Sequence, residues 1–317
     1  MTEGRQDFQG ISELITRHMD EIRQELWSFT EALAETIDAR TPYNANHVRK
    51  VAEYVGRMAE YINELHEQGM EEEFFDKRRK EQLVLAALLH DIGKMVIPLG
   101  IMNKTERLSD TERIQARFDL ILAYYRIDCL EGRITKEEEQ KKRDEISRVI
   151  SLAQKANTAE VIDERLAAEL EEVLLLVYEG QNGTTIPYFT KYEKDCLRVE
   201  KGTLTDAERE IMESHVLMTE RILSKVHFDK YFEDSPKWAI MHHEMLDGSG
   251  YPYHLKGEEL PVESRILAVA DICDGLLATD RPYKKPMTKD QAFAIMEEMA
   301  EEGKLDKKLV KYMRMCI

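Results

Sequence analysis

Apolar residues near the start of the chain recur at intervals of three and four positions. This period is typical of a long helix with one apolar seam. The seam consists of Ile11, Ile15, Ile22, Leu26, Phe29 and Leu33, and His18 breaks it. Fewer than four clean heptads are present, so the pattern leaves two alternatives open: pairing with a second copy, which would give a homodimer, or packing of the helix on its own domain.

Two further stripes predict the next helices. His47, Val51, Val55 and later apolar residues share one face of a helix expected to begin at Pro42, which puts His47 on the buried side. The segment EQLVLAALL predicts a third helix, which ends at the pair 90–91 with Gly93 as its C-terminal cap. Neighbouring residues of a helix diverge by about 100°, so both side chains of that pair can reach one site only near such an end.

Residues 109–200 differ in character from their surroundings. They contain three helical patterns with no histidine, which indicates an accessory helical insert rather than part of a site. The segment GQNGTTIPYF closes the insert, and its glycines and proline predict an irregular loop.

Three helical patterns follow the insert. Thr205 and Glu208 form a capping box that opens the first helix, on which His215 shares a stripe with apolar residues. The dipeptide Ser-Pro at 235–236 opens the second helix, which is expected to contain His242–His243.

The third of these helices, at about 262–278, has an apolar face with the carboxylate of Asp271 beside it. No segment shows the alternating pattern of a half-buried strand. The fold class predicted from the sequence is therefore all-α.

Composition narrows the classes of protein. Charged residues make up 34% and aromatic residues 8% of the chain, which is typical of a soluble globular protein. The chain has no apolar run of membrane-spanning length and no signal-peptide pattern at its start, so we expect a cytoplasmic protein without membrane insertion. Its four cysteines lack a CxxC spacing and are expected to be reduced thiols. The formal net charge of -17 opposes binding to DNA or RNA polymers, and a phosphate substrate would need local positive charge.

Seven side chains that bind transition metals lie at interior-looking helical positions. Taken singly, a buried histidine is more often a hydrogen-bonded core residue than a ligand, and Asp271 alone could be a salt-bridge or capping partner. Together they are the number and type of groups that two adjacent metal ions need. The seven are His47, His90, Asp91, His215, His242, His243 and Asp271.

Five motifs in a fixed order resemble the HD-GYP branch of the HD-domain phosphohydrolases. They are HDIGK at 90–94, HHE at 242–244, DGSGYP at 247–252, VADICDGL at 269–276 and RPYK at 281–284. The resemblance covers about residues 33–108 and 201–317. It implies an HD-domain helical bundle with a di- or trinuclear metal centre that hydrolyses cyclic di-GMP to linear pGpG and sometimes onward to GMP.

The resemblance also implies a ligand set. Under it, one metal is held by His47, His90, Asp91 and Asp271, and the second by His215, His242 and His243, with Asp91 bridging. Mixed imidazole and carboxylate ligation suits iron or manganese, with nickel and magnesium as further candidates. Some family members bind a third metal through a glutamate four residues before the first histidine, where this chain has Tyr43. We therefore expect two metals.

The remaining site residues are also implied by the family. Lys94 would contact the scissile phosphate and, with Asp91, form the catalytic pair, whereas its position alone would suggest an exposed lysine after a helix cap. The other phosphate would lie against Arg281 and Lys284, and the guanine side against Tyr251. Asp247 would orient a metal-bound histidine as a hydrogen-bond acceptor. Without the resemblance, RPYKK would be a basic loop.

The expected organisation is an N-terminal signalling or dimerisation helix at 1–32 and an HD-GYP catalytic domain at 33–317, interrupted by the insert at about 109–200. The leading hypothesis is a metal-dependent phosphodiesterase for cyclic di-GMP. Because the insert could alter base recognition, another cyclic dinucleotide such as cyclic GMP-AMP is an alternative substrate. A third hypothesis is a nucleotide-responsive signalling module whose site only binds.

Overall fold

The computed structural model describes residues 3–40, 46–180, 183–278 and 287–317, with side chains described from residue 17 onward except at 19 and 20. The helices are α1 (Glu3–Asp38), α2 (His47–Glu67), α3 (Lys77–Leu89), α4 (Leu99–Met102), α5 (Thr111–Leu130), α6 (Lys136–Thr158), α7 (Glu164–Leu174), α8 (Lys191–Leu197), α9 (Asp206–Glu213), α10 (His215–Leu223), α11 (Ser235–Ala239), α12 (Val262–Leu277), α13 (Lys289–Glu301) and α14 (Lys307–Cys316).

The predicted all-α class is confirmed, with one local exception. Two short strands, β1 (Val177–Glu179) and β2 (Thr185–Pro187), pair antiparallel, with Tyr178 opposite Ile186. The prediction of irregular backbone at 180–189 was therefore wrong for β2. Strands of three residues are too short to show the alternation by which strands are detected in a sequence. None of the described helices has both the length and the apolar character needed to cross a bilayer.

The chain forms two compact units. One comprises Met1–Leu99 together with Ile211–Ile317, and the other comprises Gly100–Glu210. The second unit extends somewhat beyond both ends of the insert expected at 109–200.

The first unit is built around α2, α3 and α12. The apolar stripe of α2 is buried, as its sequence pattern predicts, and Val51, Val55 and Met58 are fully enclosed. Helix α2 begins at His47 rather than Pro42, after Asn46, whose φ of 74° is left-handed and ends any helical run at that residue. His47 is thus the first residue of a helix instead of an interior one.

The apolar residues of helix α1 differ in burial along the helix. Ala34 and Ile37 pack into the core of the first unit, and Leu33, the last residue of the seam, packs against it. Ile22, Leu26 and Phe29, earlier in the seam, are 53%, 42% and 61% exposed. The sequence left open whether the seam packs on its own domain or on another chain. The side chains of Ile11 and Ile15, which would extend the seam, lie outside the described ones.

The second unit has its own core, formed mainly by α5, α6, α7 and the hairpin. Within it the guanidinium of Arg107, 1% exposed, donates to the carbonyls of Ala156, Ala159, Val199 and Glu200 and so joins separate segments. The predicted capping box of α9 is also present, because Thr205 Oγ1 accepts from the Glu208 amide and the Glu208 carboxylate from the Thr205 amide.

Candidate metal centre

The five candidate histidines lie at the ends of helices or in the turn just after one. His47 and His215 are the first residues of α2 and α10, and His90 follows the last residue of α3. The expectation that His242–His243 lie inside a helix was wrong, because α11 ends at Ala239 and the pair stands in the following turn. Side chains at or just beyond helix ends can converge on one point from several directions.

Gly93 brings two of these ends together. A Cβ atom at Gly93 would lie 1.9 Å from the carbonyl oxygen of His215 and 2.6 Å from the amide nitrogen of Thr219. The hydroxyl of Thr219 accepts from the Gly93 amide at 3.0 Å and donates to the His90 carbonyl at 3.0 Å. Gly93 lies in the 3-10 turn Ile92–Val96 rather than acting as the predicted helix cap. Its lack of a side chain permits the close approach that joins the HD pair to α10.

The carboxylate of Asp91 lies between two sets of histidines. Its Oδ2 is 3.6 Å from Nε2 of His47 and 3.3 Å from Nε2 of His90. Its Oδ1 is 3.4 Å from Nε2 of His215 and 3.9 Å from Nε2 of His242. Each oxygen of one buried carboxylate thus faces a different pair of imidazoles.

Asp271 completes the cluster from α12. Its Oδ1 is 3.2 Å from Nε2 of His47 and 3.9 Å from Nε2 of His90, and its Oδ2 is 3.8 Å from Nδ1 of His243. Among the described residues, three groups have ligand atoms within 4.8 Å of one another: His47 with His90 and Asp271, His215 with His242 and His243, and His90 with Asp91 and His242. The third group joins the first two through Asp91. We call the first two, each with Asp91, the His47 position and the His215 position.

Backbone carbonyls orient three of the rings. In each case Nδ1 donates to the carbonyl of the residue three positions earlier, at 2.6 to 2.7 Å. A carbonyl can only accept, so the proton lies on Nδ1 and the neutral ring keeps Nε2 free to bind a cation. The pairs are His90 with Ala87, His215 with Met212, and His242 with Ala239.

His47 is oriented differently, by a residue that the sequence reasoning missed. Its Nδ1 lies 2.7 Å from Oδ2 of Asp274, a carboxylate that is 3% exposed. Asp274 stands three residues after Asp271 on α12, so the two carboxylates lie on neighbouring faces of that helix. This i, i+3 spacing within VADICDGL is the signal by which the sequence could have indicated it.

For Asp91, His215 and His243 the electrostatics favour the protonation state that binds a metal, whereas His47 is the exception. Burial lowers the pKa of His215 to about 3 and that of His243 to about 4. Burial alone would raise the pKa of Asp91, but the charges of Lys94 and His90 hold it well below its usual value. Burial would likewise lower the pKa of His47, yet its hydrogen bonds with Asp271 and Asp274 raise it to about 10, so a cation at Nε2 would replace a proton.

The residues fit a divalent transition metal. Nε2 of His90 and Oδ1 of Asp91 are buried and have no hydrogen-bond partner within the part of the chain that the structure describes. Leaving buried polar atoms unpaired is costly, and bound cations would satisfy these two atoms. Imidazole nitrogens combined with a few carboxylate oxygens suit transition metals rather than calcium.

The other predicted site residues have different outcomes. Lys94 lies at the cluster, with Nζ 2.5 Å from Oδ2 of Asp91. Tyr251 lies against His243, with ring centroids 4.7 Å apart and planes at 33°. Arg281 and Lys284 fall outside the described residues.

Asp247 does not orient a ligand histidine. It is exposed, and its Oδ1 accepts from the amide and the hydroxyl of Ser249 at 2.8 and 2.7 Å. Such a bond to the residue two positions later is the usual local turn of aspartate, which competes with any longer-range role.

Glu244 fixes the Gly-Tyr-Pro loop and was not singled out from the sequence. Its carboxylate, 2% exposed, accepts from the amides of Tyr253 at 2.6 Å and Leu255 at 2.9 Å. Gly250 lies so close to the turn that a Cβ atom there would be 2.3 Å from the amide nitrogen of Met245. The loop is thereby held against the turn that carries the two adjacent histidines.

Comparisons with known proteins agree with this geometry. A family model described as HD domain matches residues 44–187, and a second HD domain model matches residues 195–309. The chain is 40% identical over 111 residues to the cyclic di-GMP phosphodiesterase response regulator RpfG of Xanthomonas campestris pv. campestris, and 40% identical over 111 residues to a cyclic di-GMP phosphodiesterase of Thermotoga maritima. It is 43% identical over 97 residues to 3'3'-cGAMP-specific phosphodiesterase 3 of Vibrio cholerae.

The fold and the clustered histidines and aspartates define an HD-domain protein with a candidate site for divalent metals. The three matches cover 35%, 35% and 31% of this chain and only 28%, 29% and 20% of those relatives. The two HD domain matches, these relatives and the HD, HHE and GYP motifs together identify the family. The chain belongs to the HD-GYP family.

Proposed function

We propose that this chain is a metal-dependent phosphodiesterase that hydrolyses cyclic di-GMP to pGpG through a binuclear centre, with further cleavage of pGpG to GMP as an open alternative. The observation that carries the proposal is the position of Asp91, whose two oxygens face different pairs of histidines. A carboxylate in this position suits a bridge between two cations. Its unpaired buried Oδ1 supports the same role.

The binuclear centre would be held by the His47 position and the His215 position, with iron or manganese as the metal and nickel or magnesium as further candidates. When bound, a pair of divalent cations supplies the activated water and the charge stabilisation that phosphodiester hydrolysis requires. The Nδ1 hydrogen bonds of the ligand histidines hold the rings in one tautomer and orientation, so little rearrangement accompanies binding.

Lys94 would provide a fixed positive charge for the scissile phosphate. Its ammonium already lies against the shared carboxylate, and its side chain is 20% exposed, so it can contact both the centre and a ligand from solvent. Arg281 and Lys284 are proposed to bind the second phosphate. Tyr251, which lies on the His243 ring, is proposed to border the guanine side.

The substrate class rests on the relatives. The relatives from Xanthomonas campestris and Thermotoga maritima are named as cyclic di-GMP phosphodiesterases, and cyclic di-GMP is the substrate that we propose for this chain. The similarity to 3'3'-cGAMP-specific phosphodiesterase 3 favours cyclic GMP-AMP as a second candidate.

For the domain organisation, we propose a catalytic domain at 33–317 that is interrupted by an insert at about 109–200. The insert is a candidate for altering base recognition.

The test is turnover by purified protein reconstituted with manganese or iron under reducing conditions. We expect cyclic di-GMP to be converted to pGpG faster than cyclic GMP-AMP is cleaved, and chromatography of the products shows whether pGpG is cleaved further to GMP. The Asp91→Asn variant serves as the inactive control. Faster turnover of cyclic GMP-AMP would select the second candidate. Tight binding of cyclic di-GMP without any product, in protein shown to contain two metals, would instead support a module that only binds.

We also propose a homodimer through α1, with residues 1–32 as the signalling or dimerisation helix. The exposed seam of Ile22, Leu26 and Phe29 supports this, because single exposed apolar residues are common but a heptad-spaced row on a helix favours pairing. Sedimentation of Leu26→Glu should show a monomer where the unaltered chain is a dimer, with the substitution Leu217→Glu on α10 as a matched exposed control.

A further inference from the structure

His47 differs from the other oriented ligand histidines in the charge of its Nδ1 partner. His90, His215 and His242 each donate to a neutral backbone carbonyl, whereas Nδ1 of His47 lies 2.7 Å from the carboxylate of Asp274. A carboxylate in this place makes the opposite nitrogen of the imidazole a stronger electron-pair donor than a carbonyl does.

Two carboxylates of α12 hold the two ends of this ring. Oδ1 of Asp271 is 3.2 Å from Nε2 of His47, and Oδ2 of Asp274 is 2.7 Å from Nδ1. The residues are three apart on one helix, so the helix itself sets the separation of the carboxylates. The orientation of His47 therefore follows from rigid secondary structure rather than from a loop.

The burial of Asp274 is difficult to explain by stability alone. Its side chain is 5% exposed, and its other ion-pair partner among the described residues is Lys50, with Nζ at 3.8 Å and 46% of that side chain exposed. Removing a carboxylate from water is costly unless it is paired and hydrogen-bonded. The short contact with His47 is the interaction that offsets the cost.

The two positions also differ in their own charge. The His47 position contains Asp271, whose Oδ1 is 3.2 Å from Nε2 of His47, in addition to the shared Asp91. The His215 position contains three histidines and the shared Asp91, and the nearest oxygen of Asp271 is farther away, 3.8 Å from Nδ1 of His243. Asp274, directly behind His47, adds a further negative charge on the same side. A divalent cation is attracted more strongly to the side with more carboxylates.

Resting on the binuclear centre proposed above, we propose that Asp274 is a positioning residue that acts through His47 and makes the His47 position the tighter of the two metal sites. It contacts neither substrate nor metal. The first equivalent of a divalent metal enters the His47 position, and the second enters the His215 position more weakly.

The test measures binding of Mn²⁺ alone to the whole chain after chelator treatment, with free Mn²⁺ followed by its solution EPR signal. Asp274→Asn keeps the size and removes the charge. Asp247→Asn is the matched control, because that aspartate is exposed and its carboxylate bonds within its own turn. We expect the tighter dissociation constant to rise by about 10- to 100-fold in Asp274→Asn. The weaker dissociation constant of Asp274→Asn should stay within about threefold of its value in the unaltered chain. Asp247→Asn should match the unaltered chain in both dissociation constants.

Circular dichroism shows whether Asp274→Asn folds. If it does not fold, a second pair of variants still tests which of the two positions binds Mn²⁺ more tightly. His215→Ala should retain one tight Mn²⁺, and His47→Ala should retain one weak Mn²⁺. Equal affinities in these two variants, equal weakening of both constants in folded Asp274→Asn, or behaviour identical to Asp247→Asn would each overturn the proposal. Turnover of nucleotides does not enter the measurement, so a chain with unequal metal sites that hydrolyses nothing would contradict only the proposed function.

Discussion

The ammonium nitrogen of Lys94 lies 2.5 Å from Oδ2 of Asp91, the carboxylate that both metal positions share. The contact is an i, i+3 pair at the start of a 3-10 turn, with Asp91 at 2% and Lys94 at 20% side-chain exposure. A charge-assisted hydrogen bond in such surroundings is strong. Lys94 is consequently directed into the cluster rather than into solvent, as an ordinary lysine after a helix end would be.

We predict that Lys94→Met lowers kcat by about 100-fold or more while two metals remain bound, because the variant loses a positive charge where the transition state gains negative charge. Turnover of cyclic di-GMP and metal content should be measured on the same preparation. Lys50→Met, which removes a more exposed lysine near Asp274, should change kcat by less than about threefold. Loss of metal in Lys94→Met would show instead that the lysine acts on the stability of the centre.

Asp91→Asn should weaken both metal positions at once. Each oxygen of Asp91 faces a different set of histidines, so the neutral amide removes a charge from both sides. Turnover should fall by about 1000-fold, since the metals supply several kcal/mol of transition-state stabilisation. Metal content by elemental measurement should fall below that of His215→Ala, which affects one position. Two tightly bound metals in Asp91→Asn would contradict a bridging role.

Much of the fold follows from residue patterns. The buried stripe of α2, the capping box at Thr205 and the helices of the insert all depend on periods and caps that are local in sequence. The convergence of the ligands is not local. Asp91 and Asp271 belong to segments far apart in the chain, and their common site was expected from the combination of metal-binding residue types and from the resemblance to a family, not from any local period.

The wrong predictions for His242, Gly93 and Asp247 each have a physical cause. The turn that carries His242 contains no proline or glycine before Gly248, so nothing in the sequence marks the end of α11 at Ala239. The role of Gly93 depends on the approach of α10, which belongs to a distant segment, whereas a glycine just beyond a helical pattern by itself predicts a cap. The motif around Asp247 predicts a role at the site, although the turn of Asp247 already uses the carboxylate.

Gly93→Ala should destabilise the first unit by about 1–3 kcal/mol or more, because the added methyl group would overlap the backbone of α10. Displacement of His215 should also weaken metal binding. Chemical unfolding followed by tryptophan fluorescence and Mn²⁺ binding would measure the two effects. Gly56→Ala, in the interior of α2, is the matched control, since its Cβ would meet only Val84 at 3.8 Å and helix propensity should add about 0.5–1 kcal/mol of stability. Equal stability of the two variants would refute the packing role of Gly93.

Glu71 provides a pH-dependent contribution to stability that is remote from the metal ligands in sequence. Its carboxylate accepts from Nζ of Lys308 at 3.0 Å and from the hydroxyl of Tyr312 at 2.7 Å, which ties the segment after α2 to α14. Burial alone would raise the pKa of Glu71, but these two hydrogen bonds lower it from 4.5 to about 2. A depressed carboxyl pKa stabilises the folded state fully above pH 4.5, and the contribution is lost as the pH falls from 4.5 through about 2.

Glu71→Gln should therefore lower the free energy of unfolding by about 1–2 kcal/mol at pH 7, a value reduced from the full shift because Lys308 is half exposed. The difference between the variant and the unaltered chain should narrow steadily as the pH is lowered below 4.5, where the carboxylate becomes protonated in the unfolded chain first. Urea unfolding at several pH values would measure this difference in the free energy of unfolding, with Glu72→Gln as the exposed neighbouring control. A stability difference that stays constant between pH 7 and pH 3 would mean that Glu71 contributes through packing and not through its charge.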